Sequence, residues 1–156
     1  MKTIIVFYSL EGNTKYVAET IAARIGADIL ELKTQKEKSG GTFSTYFWGG
    51  KSAIMGEKPK LQPYQFNASS YDMIILGTPI WAGRNTPPLN TFLSENDLSG
   101  KSIAVFTCSA GGEADKCYSR LRKNLNIVAT LSFKDPLKST EEAEKKIEEF
   151  AKECQG

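Results

Sequence analysis

The chain has 156 residues, 40% apolar and 24% charged, with a net charge of +2; these values suit one globular domain with a sizeable core, expected to span residues 1–156. Acidic and basic residues are mixed along its length, which gives no case for nucleic acid or an anionic membrane as partner. Histidine is absent, and the three cysteines, Cys108, Cys117 and Cys154, form no CxxC, so imidazole general-base chemistry is excluded and no metal site is expected.

An odd cysteine count without a secretory segment argues against a disulfide framework. The first apolar run is too short for a signal sequence and no stretch approaches a membrane span, so the expected location is the cytoplasm.

The chain opens on Thr3-Ile4-Ile5-Val6-Phe7, an apolar strand candidate. Tyr8-Ser9-Leu10-Glu11-Gly12-Asn13-Thr14 comes next, and then a helical pattern of Val17, Ile21 and Ile25. The stretch reads as strand, tight turn and helix start, where unpaired N–H groups and the positive end of the helix dipole suit a phosphate. Gly12 permits close backbone approach, while Ser9, Asn13 and Thr14 supply neutral donors. The plainer alternative is a capped turn with Asn13 or Thr14 as N-cap.

Further strands are expected at Asp28–Leu32, Tyr71–Gly77, Lys101–Cys108 and Asn126–Phe133. Helices are expected near Thr42–Met55, Pro88–Glu95, Glu113–Asn124 and Thr140–Glu153, the last opened by a Ser139/Glu142 capping box. Strand alternating with helix predicts an α/β fold, a doubly wound parallel sheet with helices on both faces. Strands one, three and four are unbroken apolar runs, as suits interior positions, whereas strands two and five carry polar interruptions. That assigns a five-stranded sheet of order 2-1-3-4-5, in which ligands bind at the carboxyl ends beside strands one and three.

Three loops fall at that edge. The second is Gly77-Thr78-Pro79-Ile80-Trp81-Ala82-Gly83 and the third is Cys108-Ser109-Ala110-Gly111-Gly112. Their glycines and proline allow backbone to approach a flat ligand, and Trp81, read as a loop tip, is a candidate for stacking on it or for local packing.

These residues carry a resemblance. Ser9-Leu10-Glu11-Gly12-Asn13-Thr14 is similar to the phosphate loop of short-chain flavodoxins, and the other two loops stand where that family places its isoalloxazine loops. The resemblance covers nearly the whole chain and implies FMN as cofactor. It implies that Ser9, Gly12, Asn13 and Thr14, with the N–H groups of Leu10 and Glu11, hold the phosphate. It implies further that Pro79, Ile80, Trp81, Ala82 and Gly83 line one side of the ring, and that Ser109, Ala110, Gly111 and Gly112 cover its pyrimidine edge. Glu11 departs from the family's usual hydroxyl, and its side chain is excluded from the site because a carboxylate beside a phosphate is unfavourable. The third loop lacks a stacking aromatic; Tyr118 is expected to be packing.

The resemblance leads first to a carrier of single electrons between redox partner proteins, which dock transiently over the flavin edge. The alternative is an FMN-dependent NAD(P)H oxidoreductase of quinone or flavin reductase type, towards which the positive net charge leans. Two features bear on this choice: Tyr46 or Trp48 as a lid over the flavin, and Arg84 as a cation beside the ring or an ordinary surface arginine. A phosphoacceptor domain is set aside, since it needs acidic residues where Tyr8-Ser9 and Gly77-Thr78 stand. A cysteine phosphatase is set aside too: the sixth residues after Cys108 and Cys117 are Ala114 and Lys123, not arginine.

Overall fold

The computed structural model describes residues 1–35 and 57–155. In chain order the elements are β1 (Thr3–Phe7), α1 (Asn13–Ile25), β2 (Asp28–Glu31), β3 (Met73–Trp81), β4 (Arg84–Asn85), α2 (Pro87–Glu95), β5 (Ser102–Ser109), α3 (Asp115–Arg122), β6 (Ile127–Lys134) and α4 (Thr140–Gln155). The helix expected at Thr42–Met55, with Tyr46 and Trp48, lies outside the described residues.

The sheet runs β2-β1-β3-β5-β6, every neighbour parallel, with β4 a short antiparallel addition to the end of β3. Counted by its long strands this is the doubly wound order read from the polar interruptions: β2 and β6 are the edges, with Ile29 on β2 and Val128 on β6 left exposed. Residues 3–7 of β1 are all buried because both faces are covered.

Alternation along each strand divides the core in two. On one face Ile5, Phe7, Ile75, Ala104, Phe106 and Phe133 meet Val17 and Ile21 of α1 and Ile147 and Phe150 of α4. On the other, Ile4, Val6, Ile74, Leu76, Ile103 and Val105 meet Leu89 and Phe92 of α2 and Cys117, Tyr118 and Leu121 of α3. Phe106 lies directly over Gly77, its register partner, so closely that a Cβ there would stand 2.3 Å from the ring. The helix pattern read from Ala143, Ile147, Phe150 and Cys154 places all four in the first core. Ser139 closes the first turn of α4 through its carbonyl, which accepts from Ala143 N–H at 3.0 Å.

The third strand corrects the expected boundary at Gly77. It continues through Thr78 and Pro79, paired with Thr107 and Cys108 of β5, and ends at Trp81. Pro79 is tolerated because β1 stops opposite Gly77, so no strand on that side needs its missing N–H. Trp81 then pairs with Arg84 across Ala82 and Gly83, at φ 51° and 75°. Two positive φ values in a two-residue connection make a type I′ hairpin, whose twist matches its strands. The Thr78 hydroxyl accepts from Thr86 N–H at 3.0 Å and shares a 3.0 Å bond with the Thr86 hydroxyl, which fastens the hairpin's return at its base.

Candidate functional site

Three connections converge at the carboxyl edge of β1, β3 and β5, where neighbouring crossovers run to opposite faces. After β1 the chain turns through Gly12 at φ 101° directly into α1. Gly12 therefore is the N-cap, not Asn13 or Thr14, and no side chain caps it in the ordinary way. Instead the Ser9 hydroxyl accepts from Gly12 N–H at 3.2 Å and Lys15 N–H at 3.1 Å. One neutral oxygen thus sits on donors of the helix start, the position an anion's oxygen favours.

Asn13 turns elsewhere. Its side-chain oxygen accepts from Leu137 N–H at 3.1 Å, binding the first loop to the turn Pro136–Lys138 that comes after β6. Thr14 is the unusual member: only 1% exposed, its hydroxyl is buried and meets no oxygen or nitrogen partner, only the Cys108 thiol beside it. A buried hydroxyl without a partner is destabilising by about 1–3 kcal/mol unless a ligand completes it.

After β5, Ser109 repeats the arrangement of Ser9. Its hydroxyl accepts from Gly112 N–H at 2.8 Å, with Gly112 at φ 76°. The residue before it is a thiol. Cys108, 4% exposed, has its pKa pushed up to about 12 by burial, while the nearby Thr14 hydroxyl pulls it the other way. The thiol is therefore neutral at ordinary pH and adds no charge to the site.

A cavity of about 90 Å³ lies between these loops, lined by Ser9, Leu10, Glu11, Asn13, Thr14, Pro79, Trp81, Cys108, Ser109, Ala110 and Asp135. Nine of the residues singled out in the sequence meet there. Gly12 sits beneath as the N-cap, while Ile80, Ala82, Gly83, Gly111 and Gly112 stand outside the lining. Asp135 is the lining residue that escaped the sequence reading of the site; Cys108, which opens the third loop, was not among the residues expected to touch the ligand. Cys108 ends an apolar strand and reads as core. Asp135 comes after the edge strand β6, and its only local signal is the Asp-Pro step, common to many turns. Glu11, excluded as a side chain, is part of the lining and is exposed.

Trp81 corrects another expectation. It is not a loop tip but a strand end, 9% exposed, held edge-on against Tyr8 at 5.9 Å and 88°. It lines the cavity while almost wholly buried. Arg84 lines a separate cavity of about 490 Å³ with Lys58, Asn85, Asp97 and Arg120 among others. Tyr118 is packing, as expected: its hydroxyl donates to Leu131 C=O at 2.7 Å and lies 2.9 Å from both Thr107 and Ser132 hydroxyls. Burial raises its pKa, which keeps the phenol protonated.

The small cavity suits a phosphate-sized group with neutral donors and a buried hydroxyl to complete. It lacks room for a fused ring system.

A family model described as flavodoxin matches residues 2–150. Among solved structures, a flavoprotein from Lactobacillus acidophilus NCFM, in complex with FMN, is 26% identical with a TM-score of 0.74, covering 90% of this chain and 97% of that one. A flavoprotein from Bacteroides eggerthii DSM 20697 is 21% identical, TM-score 0.73, covering 96% and 98%. Oxidised Flavodoxin 1 from Bacillus cereus is 22% identical, TM-score 0.56, covering 98% and 96%. No helix among the described residues is long and apolar enough to cross a membrane.

Proposed function

Since the chain belongs to the flavodoxin family, we propose that it binds FMN and carries single electrons between redox partner proteins. The observation that carries the cofactor assignment is the Thr14 hydroxyl, buried with no oxygen or nitrogen partner, only the Cys108 thiol beside it, in a cavity at the start of α1. The FMN complex of the 26% identical flavoprotein supports it from outside.

In this reading Ser9, Gly12, Asn13 and Thr14, with the N–H groups of Leu10 and Glu11, hold the phosphate. Pro79, Ile80, Trp81, Ala82 and Gly83 flank the ring on one side, and Ser109, Ala110, Gly111 and Gly112 on the other. Bound FMN supplies one- and two-electron redox chemistry. The chain's own residues bind and orient. Trp81, packed on Tyr8, keeps water from the inner margin of the site. The Ala82-Gly83 turn offers a peptide whose left-handed backbone is fixed by the hairpin. The Cys108 thiol remains protonated, so it neither repels the phosphate nor reacts. Leu10 and Ala82 are exposed at the rim, where a partner protein would dock.

A second reading, an FMN-dependent NAD(P)H oxidoreductase, is favoured by one feature. Among the described residues, the second cavity carries Lys58, Arg84 and Arg120 against one carboxylate, that of Asp97, a lining suited to an anionic co-substrate.

The test is an FMN titration of flavin-free protein, then an anaerobic reductive titration of the loaded protein monitored by absorbance. Transient long-wavelength absorbance from a one-electron form supports the carrier. Direct bleaching, with NADPH or NADH consumed in the presence of a quinone, transfers the assignment to the reductase. Failure to retain FMN removes both.

A further inference from the structure

Asp135 stands in the cavity with the phosphate loop, although it comes from the turn after β6. Two bonds seat it there. Its N–H donates to Ser109 C=O at 3.1 Å, and two residues later Leu137 N–H donates to the Asn13 side chain at 3.1 Å. The turn is thus pinned to the first and third loops together. Its backbone is left-handed, φ 39°, a conformation that aspartate and asparagine tolerate better than most residues.

The electrostatics of the lining are one-sided. Its charged members are Glu11 and Asp135, both carboxylates, and no lysine or arginine among the described residues lines it. None of the nearest basic residues in sequence is among the lining residues. Lys15 pairs with Glu31 at 3.6 Å, Lys134 packs along Gly112, and Lys138 is exposed. Against this stands the second, independent feature, the buried hydroxyl of Thr14, which has no oxygen or nitrogen partner, only the weakly bonding Cys108 thiol, and calls for a stronger hydrogen-bonding group.

We propose that Asp135 is a charge-selecting residue of the phosphate end: its carboxylate, assisted by Glu11, opposes the phosphate charge of the flavin and sets how far FMN is preferred over a flavin without phosphate. This rests on the FMN reading above. Neutral donors and the Thr14 hydroxyl attract a phosphate through geometry, while the two carboxylates repel it through charge. The protein therefore holds FMN less tightly than its donors allow, which makes occupancy responsive to ionic strength.

The experiment compares FMN and riboflavin binding to flavin-free wild-type protein and to Asp135→Asn, by quenching of flavin fluorescence at low salt and at high salt. Asparagine keeps the shape and the left-handed backbone while removing the charge. The expected result is FMN affinity about five- to tenfold tighter in Asp135→Asn at low salt, a gain that shrinks at high salt as screening removes the repulsion. Riboflavin affinity stays unchanged. Glu11→Gln, at an exposed position, shifts FMN in the same direction by less. Unchanged or weaker FMN binding in Asp135→Asn overturns the proposal, as does equal tightening for riboflavin, while wild-type FMN binding stands. Should Asp135→Asn melt early, Glu11→Gln decides by the same FMN-to-riboflavin ratio. Absence of FMN binding in every protein overturns the cofactor reading and this inference with it.

Discussion

The loops after β1 and β5 share one local design and differ in how soon a helix begins behind them. In each, a serine hydroxyl accepts from the N–H of a glycine three residues on, and that glycine has positive φ: Ser9 with Gly12, Ser109 with Gly112. The first runs straight into α1, and its serine also takes Lys15 N–H from the helix. The second continues to Asp115 before α3 begins, so its serine closes only the turn. The first alone has behind it the buried hydroxyl of Thr14, with no oxygen or nitrogen partner. In the proposed reading, the same turn chemistry serves as an anion seat where a helix start lies behind it and as a plain cover where none does.

The largest expected effect concerns the group between the loops, the Cys108 thiol. Burial raises its pKa from 9.0 to about 12, that of Cys154 to about 12 and that of Cys117 to about 11. These are acids with folded values above their unfolded ones, so above pH 9 the unfolded chain releases protons that the folded one retains. Stability is therefore complete below about pH 9 and falls as pH rises from there, by roughly 1.4 kcal/mol per pH unit for a thiol as buried as Cys108. Denaturant unfolding from pH 8 to 11 should show the fall, and Cys108→Ala should remove one thiol's share of it, leaving those of Cys117 and Cys154.

Thr14→Val tests the contrast in ligand binding. Removing the hydroxyl while keeping its shape should leave the flavin-free protein as stable or more so, yet weaken FMN by a factor on the order of 30, the value of a hydrogen bond to a charged group. Equal binding by both proteins would make the two loops functionally alike. Gly12→Ala and Gly112→Ala each place a Cβ at positive φ and should each cost about 1–2 kcal/mol in chemical denaturation. Gly112→Ala should be the worse for stability, since its Cβ comes within 3.3 Å of Lys134. Gly12→Ala should be the worse for FMN. Ser9→Ala frees two N–H groups and Ser109→Ala one, so melting should separate them, by about 1–2 against about 0.5–1 kcal/mol.

The smallest effect has the opposite sign. Ala82 is a left-handed alanine in a hairpin that prefers asparagine there, so Ala82→Asn should stabilise the protein by about 0.5–1 kcal/mol, visible as a raised Tm.

Strand order was legible because burial on both faces leaves an unbroken apolar run, as in Ile4–Phe7 and Ile103–Phe106, while an edge strand such as β2 shows its polar interruptions. The serine–glycine loops were legible as well, since a positive-φ turn at the end of a strand needs glycine at a set position. Trp81 was misplaced because the continuation of β3 past Gly77 depends on β5, and nothing local to Thr78-Pro79 announces it.

By itself, then, the amino-acid sequence determined the doubly wound sheet, its edges and the three loops at the carboxyl ends, all consequences of short-range periodicity and turn chemistry. Tertiary structure decided the use of those loops. Asn13 holds Leu137, 124 residues away; Trp81 packs in a T-shape with Tyr8; Arg84 lines a second cavity; Asp135 joins the lining of the first. Each depends on which distant segment the sheet brings alongside, and a side chain's partner across such a distance leaves no trace in its own neighbourhood of the chain.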